Sequence, residues 1–156
     1  DFGFLSVQPN RPHWIKALKA GVKEEHLKLA EKLRREGVSQ EEAVKQVMAA
    51  GASPAIMPAL AGMWGFVQFH DESALPKLLQ ELKDILPYSF ECHCKYHYLD
   101  ENFHEASIPY NKIFPVLKDS DFDGYLICEY EDELYCGGTE YTKRMFQMER
   151  NLLGRN

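Results

Sequence analysis

Apolar residues repeat at helical spacing over most of this sequence and alternate with polar ones in only two short stretches. HWIKALKAG predicts a short helix closed by Gly21, and Val22 to Glu36 an amphipathic helix with Leu29, Ala30 and Leu33 on one face, ending at Gly37. Ser39 and Glu42 have capping-box spacing, because hydroxyl and carboxylate can each bond the other residue's backbone N–H, and Ala43, Val44, Val47 and Met48 follow as a stripe. Ser53 and Pro54 open a further helix whose predicted buried side is Ile56, Met57, Leu60 and Ala61. Leu75, Leu78, Leu79, Leu82, Ile85 and Leu86 mark the next, which Pro87 stops. WGFVQFHDE, residues 64–72, fits either a loop or a short strand.

Alternation takes over in ECHCKYHYLD, residues 91–100, where it sorts Glu91, His93, Lys95 and His97 to one face and Cys92, Cys94, Tyr96 and Tyr98 to the other. YLICEYE repeats the pattern, with Tyr125, Ile127, Glu129 and Glu131 on one face and Leu126, Cys128 and Tyr130 on the other. Between them lie a polar loop around DENFHEAS, a helix of about ten residues from Pro109 to Lys118, and a DFDG turn. Tyr141, Met145, Met148 and Leu152 close the chain with a helix. Helix, strand, helix, strand, helix is the order of an α/β protein with parallel strands, but two secure strands and an N-terminal third are too few for a sheet covered on both faces.

Composition narrows the class. The 156 residues are 45% hydrophobic and 27% charged, which fits one soluble globular domain with a sizeable core. Eighteen basic against twenty-four acidic residues give a net charge of −6, and no basic stripe is available to neutralise phosphates, so nucleic acid is not an expected partner. No apolar run reaches the roughly 18 to 20 residues of a membrane span, and nothing resembles a signal peptide. A cytoplasmic setting is expected, with Cys92, Cys94, Cys128 and Cys136 as free thiols. The sequence starts at Asp1 and runs straight into FGFLSV, which reads as the middle of a protein; processing, an expression boundary or a preceding segment each accounts for it.

The chemistry-bearing residues gather in the alternating stretches. Cys92 and Cys94 point away from His93, which argues against a Cys–His zinc cluster. A polar face is unusual on a buried parallel strand, and an exposed edge strand is the plain alternative. Ligands collect at the C-terminal ends of parallel strands, which favours His93 and Glu129; Glu131 reads equally well as a surface carboxylate. With Asp1 these would make an Asp, a His and a Glu from three strand ends, a set suited to manganese, magnesium, cobalt or zinc. Gly137 and Gly138 offer backbone N–H groups to an anion, though a plain loop explains them as well.

CHCKYHYLDE, followed by EASIPYNKIFPVLKDSDFDGYLICEYED, resembles the C-terminal part of the xylose-isomerase-like TIM-barrel proteins, the sugar isomerase and epimerase superfamily. DFGFLSVQP is similar to the segment after that family's sixth strand. The resemblance is strongest over residues 88–132 and weakest over 20–70. It implies an α/β fold, a partial (β/α)8 TIM barrel covering its C-terminal βα units: residues 1–9 as the end of a strand and active-site loop, 10–72 as an enlarged helical insertion, and 73–156 as the last βα units.

Carried over, the resemblance makes Asp1, His93 and Glu129 three of four ligands of a divalent metal, with the fourth on a missing N-terminal half or a partner chain. It implies a small carbohydrate substrate and room for a homo-oligomer. Glu129 becomes the acid–base group of an isomerase or epimerase that abstracts a proton next to a carbonyl, and Lys95 and His97 orient the substrate or act as acid and base. Two departures argue against a simple ketose epimerase: Phe4 stands where those enzymes carry a histidine, and the place beyond His93 where they carry an arginine holds none. Similarity to the metal-binding subunit of C-glycoside-cleaving enzymes adds a lyase reading, elimination from a 3-oxo sugar. An inactive fragment or structural half awaiting a partner is the third reading, and an endonuclease of the same superfamily is disfavoured by the acidic balance.

Overall fold

Capping side chains and glycines cut the first half of the chain into short helices. In the computed structural model, which describes residues 1–9, 11–65, 69–100, 102–131 and 139–154, these are α1 (Arg11–Lys19), α2 (Glu24–Arg35), α3 (Gln40–Ala49) and α4 (Met57–Met63). Gly37, at φ 77°, turns the chain after α2 into the left-handed region that glycine adopts without strain. Ser39 then accepts the Glu42 N–H at 3.3 Å to start α3, as its spacing predicts. Trp14, Leu27, Ala30, Leu33, Ala43, Val47, Ile56, Leu60 and Met63 close into one apolar core. Helices α1 and α4 meet so closely that a Cβ on Gly62 would lie 2.5 Å from the His13 ring.

The buried side of α4 differs from the predicted one. Ile56 and Leu60 are buried as expected, but Ala59 and Met63 join them, while Met57 and Ala61 face solvent. The cause lies in Pro54–Ile56, which form a 3₁₀ turn with three residues per turn, so the face entering α4 is rotated from the one a continuous α-helix would present.

The second half is built on α5 (Leu75–Ile85), β1 (Glu91–Tyr96), α6 (Tyr110–Lys118), β2 (Tyr125–Tyr130) and α7 (Thr139–Leu153). β1 and β2 pair in parallel, with Glu91 opposite Tyr125, His93 opposite Ile127 and Lys95 opposite Glu129. Cys92, Cys94 and Tyr96 point to the helices and form a second core with Leu82, Leu86, Ile113, Phe114, Leu117, Met145 and Met148. Arg35 ties the halves together, donating to the carbonyls of Val7 at 3.1 Å and His70 at 3.2 Å. No helix among the described residues is long and apolar enough to cross a membrane.

The expected partial (β/α)8 barrel is overturned. Among the described residues only β1 and β2 pair, in one two-stranded sheet, and helices make up most of the rest, whereas several barrel βα units require a row of strands side by side. The third strand end expected at residues 1–9 is absent for a local reason. The Asp1 carboxylate accepts the Gly3 N–H at 2.7 Å and caps a 3₁₀ turn over Phe2–Leu5, which Ser6 finishes by bonding the Gly3 carbonyl. Residues 64–72 likewise contribute no strand among those described.

Ile56 is fully buried and its neighbour Met57 is 41% exposed, so the two test the register of α4. Ile56→Ala lowers unfolding free energy by about 2–5 kcal/mol in urea denaturation, whereas Met57→Ala changes it by less than about 1 kcal/mol. Equal losses would contradict the rotated face.

Candidate functional site

The outer face of the two-stranded sheet collects charge. Alternation sends Glu91, His93 and Lys95 of β1 and Glu129 of β2 to this side, and the parallel register sets Lys95 directly beside Glu129. The Lys95 ammonium lies 2.9 Å from Glu129 Oε2, 2.7 Å from Glu131 Oε1 and 3.4 Å from Asp1 Oδ2. His93 joins through Nδ1, 2.9 Å from Glu129 Oε1, with Nε2 3.4 Å from Glu91 Oε1. Asp1 reaches the group because the 3₁₀ turn lays Gly3 on the Lys95 stem: a Cβ there would sit 3.0 Å from Asp1 Oδ1 and 3.3 Å from Lys95 Cγ. Only glycine leaves both side chains where they are.

These contacts fix the charge states. Desolvation works against the ammonium of Lys95, but hydrogen bonds to Glu129 and Glu131 and their charges outweigh it and hold its pKa above the ordinary lysine value. The Lys95 hydrogen bond in turn holds the Glu129 carboxyl below the usual range, with His93 adding to the effect. At neutral pH Glu129 is therefore an ionised carboxylate, a weaker base than one without the Lys95 contact, and Lys95 is a cation that donates hydrogen bonds rather than a base.

The residues taken from the sequence as metal ligands, Asp1, His93 and Glu129, do meet at this face, but not as an ion cage. Among the described residues no three His, Cys, Asp or Glu side chains are placed to hold a metal ion together. The position between Asp1 and Glu129 belongs to the Lys95 ammonium.

His97 departs from strand alternation. β1 ends at Tyr96, and His97 is 3% exposed, with both ring nitrogens buried and unpartnered. The loop after the strand is turned by Glu105, whose carboxylate accepts the N–H groups of His97 at 3.4 Å, Tyr98 at 3.2 Å, Ser107 at 2.7 Å and also Ile108. Burial lowers the His97 pKa and favours its neutral ring, within electrostatic reach of Glu131, Lys95 and His13 of α1. Sequence reading missed Glu105 and left Glu131 undecided. For Glu131 the signal was present, since it lies two residues beyond Glu129 on the same alternating face.

Cys92, Cys94 and Cys128 are free thiols, as expected, and burial raises the pKa of each, so none is a poised nucleophile. Cys128 instead donates to the buried Glu149 carboxylate at 3.1 Å, which also accepts from the Tyr96 hydroxyl at 2.7 Å. Cys136, Gly137 and Gly138 lie outside the described residues.

No protein-family model matches this chain, and no curated protein does.

Glu105 makes the loop pH-sensitive. Burial raises its pKa from 4.5 to about 7, although its four backbone donors pull the other way. A folded pKa above the unfolded one means that this contribution to stability is intact below about pH 4.5 and is lost as pH rises through about 7. Urea denaturation from pH 5 to 8 will show the wild type losing roughly 2–3 kcal/mol relative to Glu105→Gln. Parallel pH profiles for the two proteins would rule this out.

Proposed function

We propose that the chain belongs to a metal-dependent enzyme that moves a proton on the carbon next to a carbonyl of a small carbohydrate, as an isomerase or epimerase. One observation carries the reading. Of the three residues that the likeness to the xylose-isomerase-like proteins marked as ligands, Asp1 and Glu129 lie within 4 Å of the Lys95 ammonium, and His93 is bonded to Glu129.

By type, two carboxylates and an imidazole are ligands for manganese, magnesium, cobalt or zinc, although among the described residues no three such side chains are arranged around one ion position. Asp1, His93 and Glu129 would hold such an ion. When bound, it supplies positive charge against the negative charge that develops on substrate oxygens. Glu129, kept ionised by Lys95, accepts the proton from carbon. Lys95 donates hydrogen bonds to a substrate oxygen, and Glu131 steadies its ammonium. The free thiols of Cys92, Cys94 and Cys128 suit a reducing, cytoplasmic compartment.

Cleavage of a 3-oxo-glycoside begins with the same proton abstraction, so the assay sets both chemistries side by side. Protein supplied with Mn²⁺ is given a panel of keto-sugars, read by proton exchange with deuterated water, and a 3-oxo-glycoside, read by release of the aglycone. Exchange is expected with a keto-sugar, and Glu129→Gln lowers kcat by about 10²- to 10⁴-fold with its fold intact. Turnover of neither substrate class, or a fully active Glu129→Gln, would defeat the proposal.

A further inference from the structure

A two-stranded sheet has two edges, and among the described residues no strand pairs with the outer edge of β2. The ladder shows which backbone groups are left over. Tyr125 donates its N–H to the Phe90 carbonyl at 3.0 Å and Glu131 donates to the Tyr96 carbonyl at 2.8 Å, so the odd-numbered residues of β2 turn their backbone toward β1. Leu126 and Cys128 turn theirs the other way, where no described backbone group bonds them. Both residues are half-buried rather than enclosed, so a new strand can reach them. Edges are commonly blunted by Pro, Lys or a bulge, and YLICEY has none of these: its register runs unbroken from Glu91–Tyr125 to Tyr96–Tyr130.

The side chains beside this edge follow a fixed order. On the outer face Tyr125, 78% exposed, and Ile127, 37% exposed, open the strand, and Glu129 and Glu131 follow at its end. Directly opposed side chains decide how well two strands pair, so an incoming strand gains most with apolar groups beside the first two and cations beside the last two. Lys95 leaves that demand unmet, since one ammonium serves Asp1, Glu129 and Glu131 together. A second copy of this chain fits poorly, because it brings the same acidic pair and a net charge of −6.

We infer that the outer edge of β2 is a docking site for an extended segment of another protein, which adds a strand beside β2 and carries Lys or Arg next to Glu129 and Glu131. Main-chain bonds to Leu126 and Cys128 supply the attachment, and the charges select the partner. The inference is independent of the chemistry proposed for the outer face. It requires neither a metal nor a carbohydrate.

Fluorescein-labelled peptides that place Val, Val, Lys and Lys at alternate positions, with Thr between them, test it in both sequence orders by fluorescence anisotropy. One order is expected to bind, and replacing its two lysines with Glu to weaken binding at least about tenfold. N-methylation of one alternate set of its amides abolishes binding and N-methylation of the other set leaves it unchanged, because only one edge of an added strand is bonded. Amide exchange at Leu126 and Cys128 slows when the peptide is present. Equal losses from the two methylated sets would mean charge attraction without strand addition and would overturn the inference, as would binding of neither order. Sedimentation of the protein alone is expected to show a monomer. A dimer in which the Leu126 and Cys128 amides already exchange slowly would give the edge to a second copy and sink the proposal. Every reading is taken on the unaltered chain, so the folding of a variant does not enter.

Discussion

The ion contact between Lys95 and the carboxylates of Asp1, Glu129 and Glu131 is the constraint on which the polar side of this protein depends. It joins the N-terminal turn, β1 and the end of β2 at one atom. Several local choices make sense only in its light. A Cβ on Gly3 would crowd both Asp1 and Lys95, at 3.0 Å and 3.3 Å. The parallel register is the one that puts Lys95 opposite Glu129, and a shift of one residue would turn Glu129 into the apolar core and leave the ammonium without it. Fully exposed ion pairs contribute little to stability, but the Lys95 side chain is only 12% exposed, so that rule does not carry over to its contacts.

The apolar side of the same strands supplies the rigidity this arrangement needs. Tyr110 of α6 stacks on Tyr96 with ring centroids 5.1 Å apart, and its hydroxyl donates to the Lys95 carbonyl at 2.6 Å. The backbone that carries the ammonium is thereby fixed from behind. Tyr96 in turn donates to Glu149 of α7, and Cys128 of β2 shares that carboxylate. A buried carboxylate with two such donors links the closing helix to both strands, and the thiol serves there as a hydrogen-bond donor rather than as a reagent.

What could be read from the sequence was what neighbouring residues decide among themselves. The Ser39 cap, the turn at Gly37 and the two-sided sorting of β1 and β2 all depend on residues within a few positions of one another, and all are present. The grouping of Asp1, His93 and Glu129 was suggested by their places at expected strand ends and then by family likeness, and the three do come to one face. The barrel expectation failed at residue 1, where one carboxylate caps a turn and so withdraws a segment that had been counted toward a sheet. The face of α4 failed because a 3₁₀ turn precedes it, and no apolar spacing distinguishes that turn from the first turn of an α-helix.

His97 shows why the remainder was out of reach. Alternation assigns it to the face of His93 and Lys95, and alternation holds only while the strand continues. The strand stops because Glu105, eight residues away, draws the N–H groups of His97 and Tyr98 onto its own carboxylate together with those of Ser107 and Ile108. Those donors are backbone groups, which every residue type carries, so nothing in the side-chain pattern marks them. The consequence is chemical as well as geometric: the turn carries the imidazole out of the solvent-facing row into the interior, where burial favours its neutral form. The neutral ring keeps one nitrogen able to accept a hydrogen bond, and neither ring nitrogen has a hydrogen-bond partner among the described residues.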